Sequence, residues 1–139
     1  MKRYISLAVL ILAGVLVTNA QAQTTSSQRM VANIPFSFNV GKTTLPAGKY
    51  TITVLNPTSD RRILQIRSTN GRSSAMVRTS DVIGNVAESS KLTFEYDGAR
   101  YIFAQAQMAG DSTSLAAVRT KTEKHSIATA KKKVVITAG

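Results

Sequence analysis

The stretch Ile34–Val54, IPFSFNVGKTTLPAGKYTITV, decides the fold class. Ile34, Phe36, Phe38 and Val40 fall on one side of an extended chain, and Pro35, Ser37 and Asn39 fall on the other. That two-residue period belongs to a strand with one buried face. Tyr50, Ile52 and Val54 repeat it after a connection rich in turn formers. We expect one strand over Met30–Val40 and a second over Lys49–Leu55. Pro35 has no N–H to give a ladder, so the first strand should lie at an edge or carry a bulge there. Gly41 to Thr44 and Leu45-Pro46-Ala47-Gly48 form two successive turn signals.

Two hairpins are expected downstream. Asn70-Gly71 is the preferred pair for a two-residue type I′ turn. Closing the chain there sets Thr69 opposite Arg72, Leu64 opposite Val77 and Ile66 opposite Ala75. Ile63 then meets Arg78, Gln65 meets Met76 and Arg67 meets Ser74 on a wetter reverse face. Closing the second hairpin at Asp97-Gly98 sets Tyr96 opposite Ala99, Phe94 opposite Tyr101, Leu92 opposite Phe103, and Glu95 opposite Arg100 as an exposed ion pair. Asp81–Ser90 fits either a short strand at Asp81–Ile83 or a loop. Gly110-Asp111 breaks the sheet, and Thr120–Ala130 suggests a short helix capped by Thr120 and Glu123. Val134–Thr137 is a β-branched run suited to a final strand. Seven or eight short alternating strands define an all-β, antiparallel sandwich or flattened barrel.

The first 22 residues are set apart from this domain. Lys2 and Arg3 precede a nearly unbroken apolar run over Ile5–Val17, and Ala20-Gln21-Ala22 offers small residues for cleavage before Gln23. The run is shorter than the roughly 20 residues that span a bilayer, so a cleaved signal peptide is expected over residues 1–22. Residues 23–28 form a polar tether and residues 29–139 a single β-rich domain, exported to the periplasm or beyond the cell and not membrane-spanning after cleavage. The 139-residue chain contains no cysteine, so its core must hold the fold without disulfides.

No catalytic constellation is apparent. His125 is the sole histidine, which rules out a histidine-based metal cluster, and no G-x-S-x-G elbow, P-loop, EF-hand loop or dinucleotide fingerprint occurs. Of the seven carboxylates, Asp60, Asp97 and Asp111 fall at turns, Glu95 has an arginine partner and Glu123 a capping place. Only Asp81 and Glu88 are left for a polysaccharide-cleaving pair, the least favoured reading. We expect no enzyme activity, no cofactor and no metal.

The formal charge of +11 bears on partners. Arg61, Arg62, Arg67, Arg72 and Arg78 cluster around the first hairpin, and Lys131, Lys132 and Lys133 lie near the end. These eight are the candidate anion-binding surface, for an anionic envelope polymer or lipid head groups. Nucleic acid is not expected, since no aromatics interleave with the basic residues. The leading reading is an exported, non-enzymatic structural or binding module at the cell envelope. The alternative is a lipid carrier whose Phe36, Phe38, Phe94 and Phe103 line a cavity.

Ile34, Pro35, Phe36, Phe38, Val40 and Gly41, followed by Leu45, Pro46, Ala47, Gly48 and Tyr50, match an I-P-F-x-F-x-V-G…L-P-A-G-x-Y pattern. On these residues, with Tyr101 and Phe103 later on, the chain resembles a group of small secreted bacterial proteins of uncharacterised role. The resemblance implies export and a β-rich domain, and it carries no active site with it.

Overall fold

The computed structural model describes residues 28–59, 62–119 and 132–139, together with Lys124. The proposed signal peptide, nearly all of the tether and the expected helix over Thr120–Ala130, Lys124 aside, lie outside the described residues. Gln28, the last residue of that tether, is hydrogen-bonded to the sheet, its carbonyl accepting the Val54 N–H at 2.9 Å.

The described chain is all β. Ten strands run in the order β1 (Arg29–Ile34), β2 (Phe38–Val40), β3 (Thr43–Leu45), β4 (Gly48–Val54), β5 (Ile63–Ser68), β6 (Ser74–Ile83), β7 (Ser90–Tyr96), β8 (Tyr101–Gln107), β9 (Thr113–Ala117) and β10 (Lys132–Ala138). They form one mixed sheet bent into two layers, a sandwich or flattened barrel that does not close. The path β1-β4-β5-β6-β9-β8 continues on one side to β7 and β10 and on the other to β2 and β3. Where β1 and β10 approach, Val31 and Gly139, the residue after β10, exchange N–H···O bonds of 2.9 and 3.0 Å. β6 joins the layers, because its first half pairs with β5 and its second half, Thr79–Ile83, with β9. The ambiguous Asp81–Ile83 is therefore the end of a long strand, followed by a loop.

Five sequence expectations need correction. The single strand over Met30–Val40 is two strands. Pro35 ends β1, and the chain crosses from β4 in one layer to a parallel pairing of β2 with β8 in the other, Phe38 facing Tyr101. Phe36 anchors the crossing, its ring stacked 3.8 Å from that of Tyr101 and edge-on to Phe94 at 5.1 Å. The Asn70-Gly71 turn is not type I′, which needs positive φ at both residues. Only Gly71 has it, at 75°. The Asn70 carboxamide is occupied instead, its Oδ1 accepting from the Ser68 hydroxyl at 2.6 Å and the Arg72 N–H at 2.9 Å. The hairpin closes in a longer loop that keeps the expected register, with Leu64 against Val77 and Ile66 against Ala75.

The second hairpin slips from its expected register. Tyr96 faces Tyr101, Phe94 faces Phe103 and Leu92 faces Ala106, with a bulge at Thr93/Phe94 that leaves Ala104 as the extra residue. Asp97 Oδ1 takes the N–H groups of Ala99 and Arg100 at 2.9 and 2.7 Å, which holds a four-residue loop where a two-residue one was expected. Glu95 therefore faces Ile102, not Arg100. Finally, β9 was not foreseen, and β10 begins two residues before the expected Val134.

The core lies between the layers. Met30, Ile34, Tyr50, Ile52, Leu64 and Ile66 from one side meet Phe38, Leu92, Phe94 and Phe103 from the other, and all are at most 2% exposed. Each such side chain contributes about 1.5–3 kcal/mol by leaving water, which explains how the fold stands without disulfides. Phe94 is central, its ring 5.1 to 5.9 Å from those of Phe36, Phe38 and Phe103 in edge-to-face contacts. The four phenylalanines suggested as a cavity lining lie against one another. Tyr50 completes the cluster, 5.2 Å from Phe38, and donates its hydroxyl proton to the Pro46 carbonyl at 2.6 Å. Burial pushes the Tyr50 phenol above its ordinary range.

Candidate functional site

The strand alternation that buries Tyr50, Ile52 and Val54 turns Lys49, Thr51 and Thr53 to the outside of the same layer. Register does the rest. Arg29, Thr53 and Gln65 stand side by side across β1, β4 and β5, and in the next row stand Val31, Thr51 and Arg67. Lys49 lies one row further on, opposite Asn33, and its carbonyl takes the Thr69 N–H of the hairpin loop at 3.0 Å. The face ends in an open groove of about 420 Å³ lined by Arg29, Thr51, Thr53, Gln65, Arg67 and the loop Ser68–Gly71. Gly71 makes room for the Arg67 guanidinium, since a Cβ there would come within 3.3 Å of Arg67 Nη2.

The carboxylates are unevenly placed along the chain. From Arg29 to Ser80 the chain has eight Lys and Arg residues and one carboxylate, Asp60, which lies outside the described residues. The described carboxylates, Asp81, Glu88, Glu95, Asp97 and Asp111, all fall in the later part of the chain. Most of them have local work. Glu95 and Arg119 form a largely buried pair at 3.0 Å, with side chains only 12 and 13% exposed, and Arg119 also reaches the Phe103 carbonyl at 3.4 Å. Asp97 meets Arg100 at 3.5 Å. The two loop N–H bonds, first that of Ala99, hold the Asp97 carboxyl below the usual carboxylate range. Asp111 Oδ1 accepts the Thr113 N–H at 2.8 Å. Asp81 is 3.8 Å from Arg62, and Glu88 is exposed in the loop after β6.

Of the eight residues expected to form one anion-binding surface, the six described ones are spread over more than one part of the molecule. Arg61 and Lys131 lie outside the described residues. Arg67 and Arg72 stand at the tip of the β5–β6 hairpin, whereas Arg62 is drawn toward Asp81. Arg78 lines a separate groove of about 370 Å³ with Lys42, Met76, Val118 and Arg119. Lys132 and Lys133 are on β10 in the other layer, Lys132 Nζ 5.3 Å from the centre of the Tyr96 ring and Lys133 opposite Glu95. Sequence reasoning missed Arg29 and Lys49. Lys49 was a polar position of a strand whose apolar positions had been read and Arg29 falls one residue before the expected Met30 start, but only the β1-β4-β5 register brings residues 29, 49 and 67 to one surface.

Among the described residues, no three His, Cys, Asp or Glu side chains are placed to hold a metal ion, and no helix is long and apolar enough to cross a membrane. His125 lies outside the described residues. No protein-family model, curated protein or solved structure matches the chain.

Proposed function

We propose that this is an exported β-sheet module that acts by binding an anionic component of the cell envelope and carries out no catalysis of its own. The observation that carries this reading is the outer face of β1, β4 and β5, which presents Arg29, Lys49 and Arg67 to solvent with no carboxylate on these strands, the described carboxylates being confined to the later strands and loops. Such a surface attracts polyanions and concentrates them at its face. The leader at residues 1–22, ending in Ala20-Gln21-Ala22, supports export. Asp81 and Glu88, the pair considered for glycoside cleavage, sit on a strand and in an exposed loop, with Asp81 drawn to Arg62.

The test is retention of purified protein spanning residues 23–139 on envelope extract, followed by elution with salt. Specific retention lost as ionic strength rises is expected, because exposed charges are screened over about 8–10 Å at 0.10–0.15 M salt. Hydrolysis of an envelope polysaccharide, abolished by Asp81→Asn or Glu88→Gln, would overturn the non-enzymatic reading.

A further inference from the structure

We infer that the outer face of β1, β4 and β5 is a binding site for a linear acidic polysaccharide, with Arg29 and Arg67 as the groups that hold its carboxylates or sulfates. The inference rests on the proposed binding role and names its site and ligand class.

Three features on this face point to that class. First, the cations are spaced rather than clustered. Arg29 and Arg67 are separated by two strand spacings and two residues along the strand, about 12 Å between Cα atoms, as their register fixes. A chain with an acid group on successive sugar units can reach both. Second, the ground between them is hydroxyl and amide, from Thr51, Thr53 and Gln65. Such groups exchange hydrogen bonds with sugar hydroxyls, and charge-assisted bonds from the two guanidinium forks supply the stronger contacts. Third, no aromatic side chain of β1, β4 or β5 points outward, since Tyr50 is buried in the core. Single-stranded nucleic acid is ordinarily held by stacking its bases on such rings.

The other two grooves are less suited. The groove of about 400 Å³ beside Gln28 and Arg29 includes Asp111, which repels an acidic chain. The one at Arg78 is bordered by exposed Met76 and Val118.

The experiment is isothermal titration of protein spanning residues 23–139 with short oligogalacturonate at low salt, using the wild type, the double variant Arg29→Ala/Arg67→Ala, and Lys132→Ala/Lys133→Ala, on β10 in the other layer, as the control. Both pairs remove two exposed cations, so a bulk charge effect weakens them equally. The inference expects wild-type binding that weakens by about tenfold or more in the first pair, with a shallower salt dependence, because fewer counterions are exchanged on binding. The control should change by less than about threefold, as expected for charges remote from the ligand. Unchanged circular dichroism and thermal melting show that both variants are folded. Equal weakening of the two pairs overturns the site, while salt-sensitive envelope retention by the wild type leaves the broader binding role standing. No binding of oligogalacturonate or of a sulfated glycan such as heparin, with binding to anionic vesicles or single-stranded DNA instead, overturns the polysaccharide class. Loss of envelope retention as well refutes the broader role.

Discussion

The two long hairpins look alike in sequence and behave differently in the fold. In β5–β6 the inward residues Leu64, Ile66, Ala75 and Val77 are buried, and most of their neighbours reach solvent. A slip of one residue would turn the apolar set outward, so pairing is strongly specified even though the turn takes an unexpected form. In β7–β8, three consecutive residues are buried on each strand, Leu92–Phe94 and Ile102–Ala104. With both faces shielded, alternation does not penalise a slip, and the Asp97 loop and the bulge at Thr93/Phe94 set the register. Apolar periodicity specifies pairing only where one face of the sheet is wet.

The same contrast ranks the effects of substitution. The largest is expected at the centre of the second hairpin, where Phe94→Ala removes a fully buried ring packed against Phe36, Phe38 and Phe103. A loss of about 3–5 kcal/mol is expected, measured by urea unfolding. A loss below about 1 kcal/mol would mean that the aromatic cluster is loosely packed.

Next is the shielded ion pair of that hairpin. Arg119→Ala strands the Glu95 carboxylate in a mostly buried position and should cost about 2–3 kcal/mol, whereas Asp81→Ala, from the more open pair with Arg62, should cost less than about 1 kcal/mol. The contrast follows from exposures of 13 and 12% against 22 and 40%. Similar costs in chemical denaturation would remove the distinction between the two hairpin environments.

A smaller effect is expected at the first hairpin's loop. Gly71→Ala must hold a φ of 75° and crowd the Arg67 guanidinium. About 1 kcal/mol of stability should be lost, with the β5–β6 pairing preserved in amide exchange because the strands and not the turn specify it. Collapse of that pairing would reverse the order of causes.

The smallest is a pH effect at the second hairpin's loop. The folded Asp97 carboxyl titrates below its unfolded value, so its stabilisation is complete above about pH 4 and is lost as the pH falls through the depressed value. Asp97→Asn should flatten this acid limb in thermal melts by lowering the melting temperature slightly at neutral pH while leaving it unchanged at the acid end. An acid limb identical to the wild type would assign the loss to other carboxylates.

How far the sequence could be read follows from the same physics. The all-β class and the β5–β6 register were legible because apolar residues alternate with polar ones there, and the last strand because Val134–Thr137 is a β-branched run. The division of the first strand at Pro35 was half legible, since the missing N–H was noticed but not the change of layer it permits. β9 was hidden because TSLAA, with Leu115 as its one large apolar residue, gives a weak period. Of the candidate site, Arg67 and Arg72 were visible on one hairpin. Arg29 and Lys49 were not, since no local pattern links residues 29, 49 and 67, and their common surface arises from long-range pairing.

Amide chemical-shift mapping tests the central claim most directly, by titrating labelled protein spanning residues 23–139 with oligogalacturonate. Shifts concentrated at Arg29, Thr51, Thr53, Gln65 and Arg67 are expected. Shifts centred on Tyr96, Lys132 and Lys133, or none above those caused by matched sodium chloride, would contradict it.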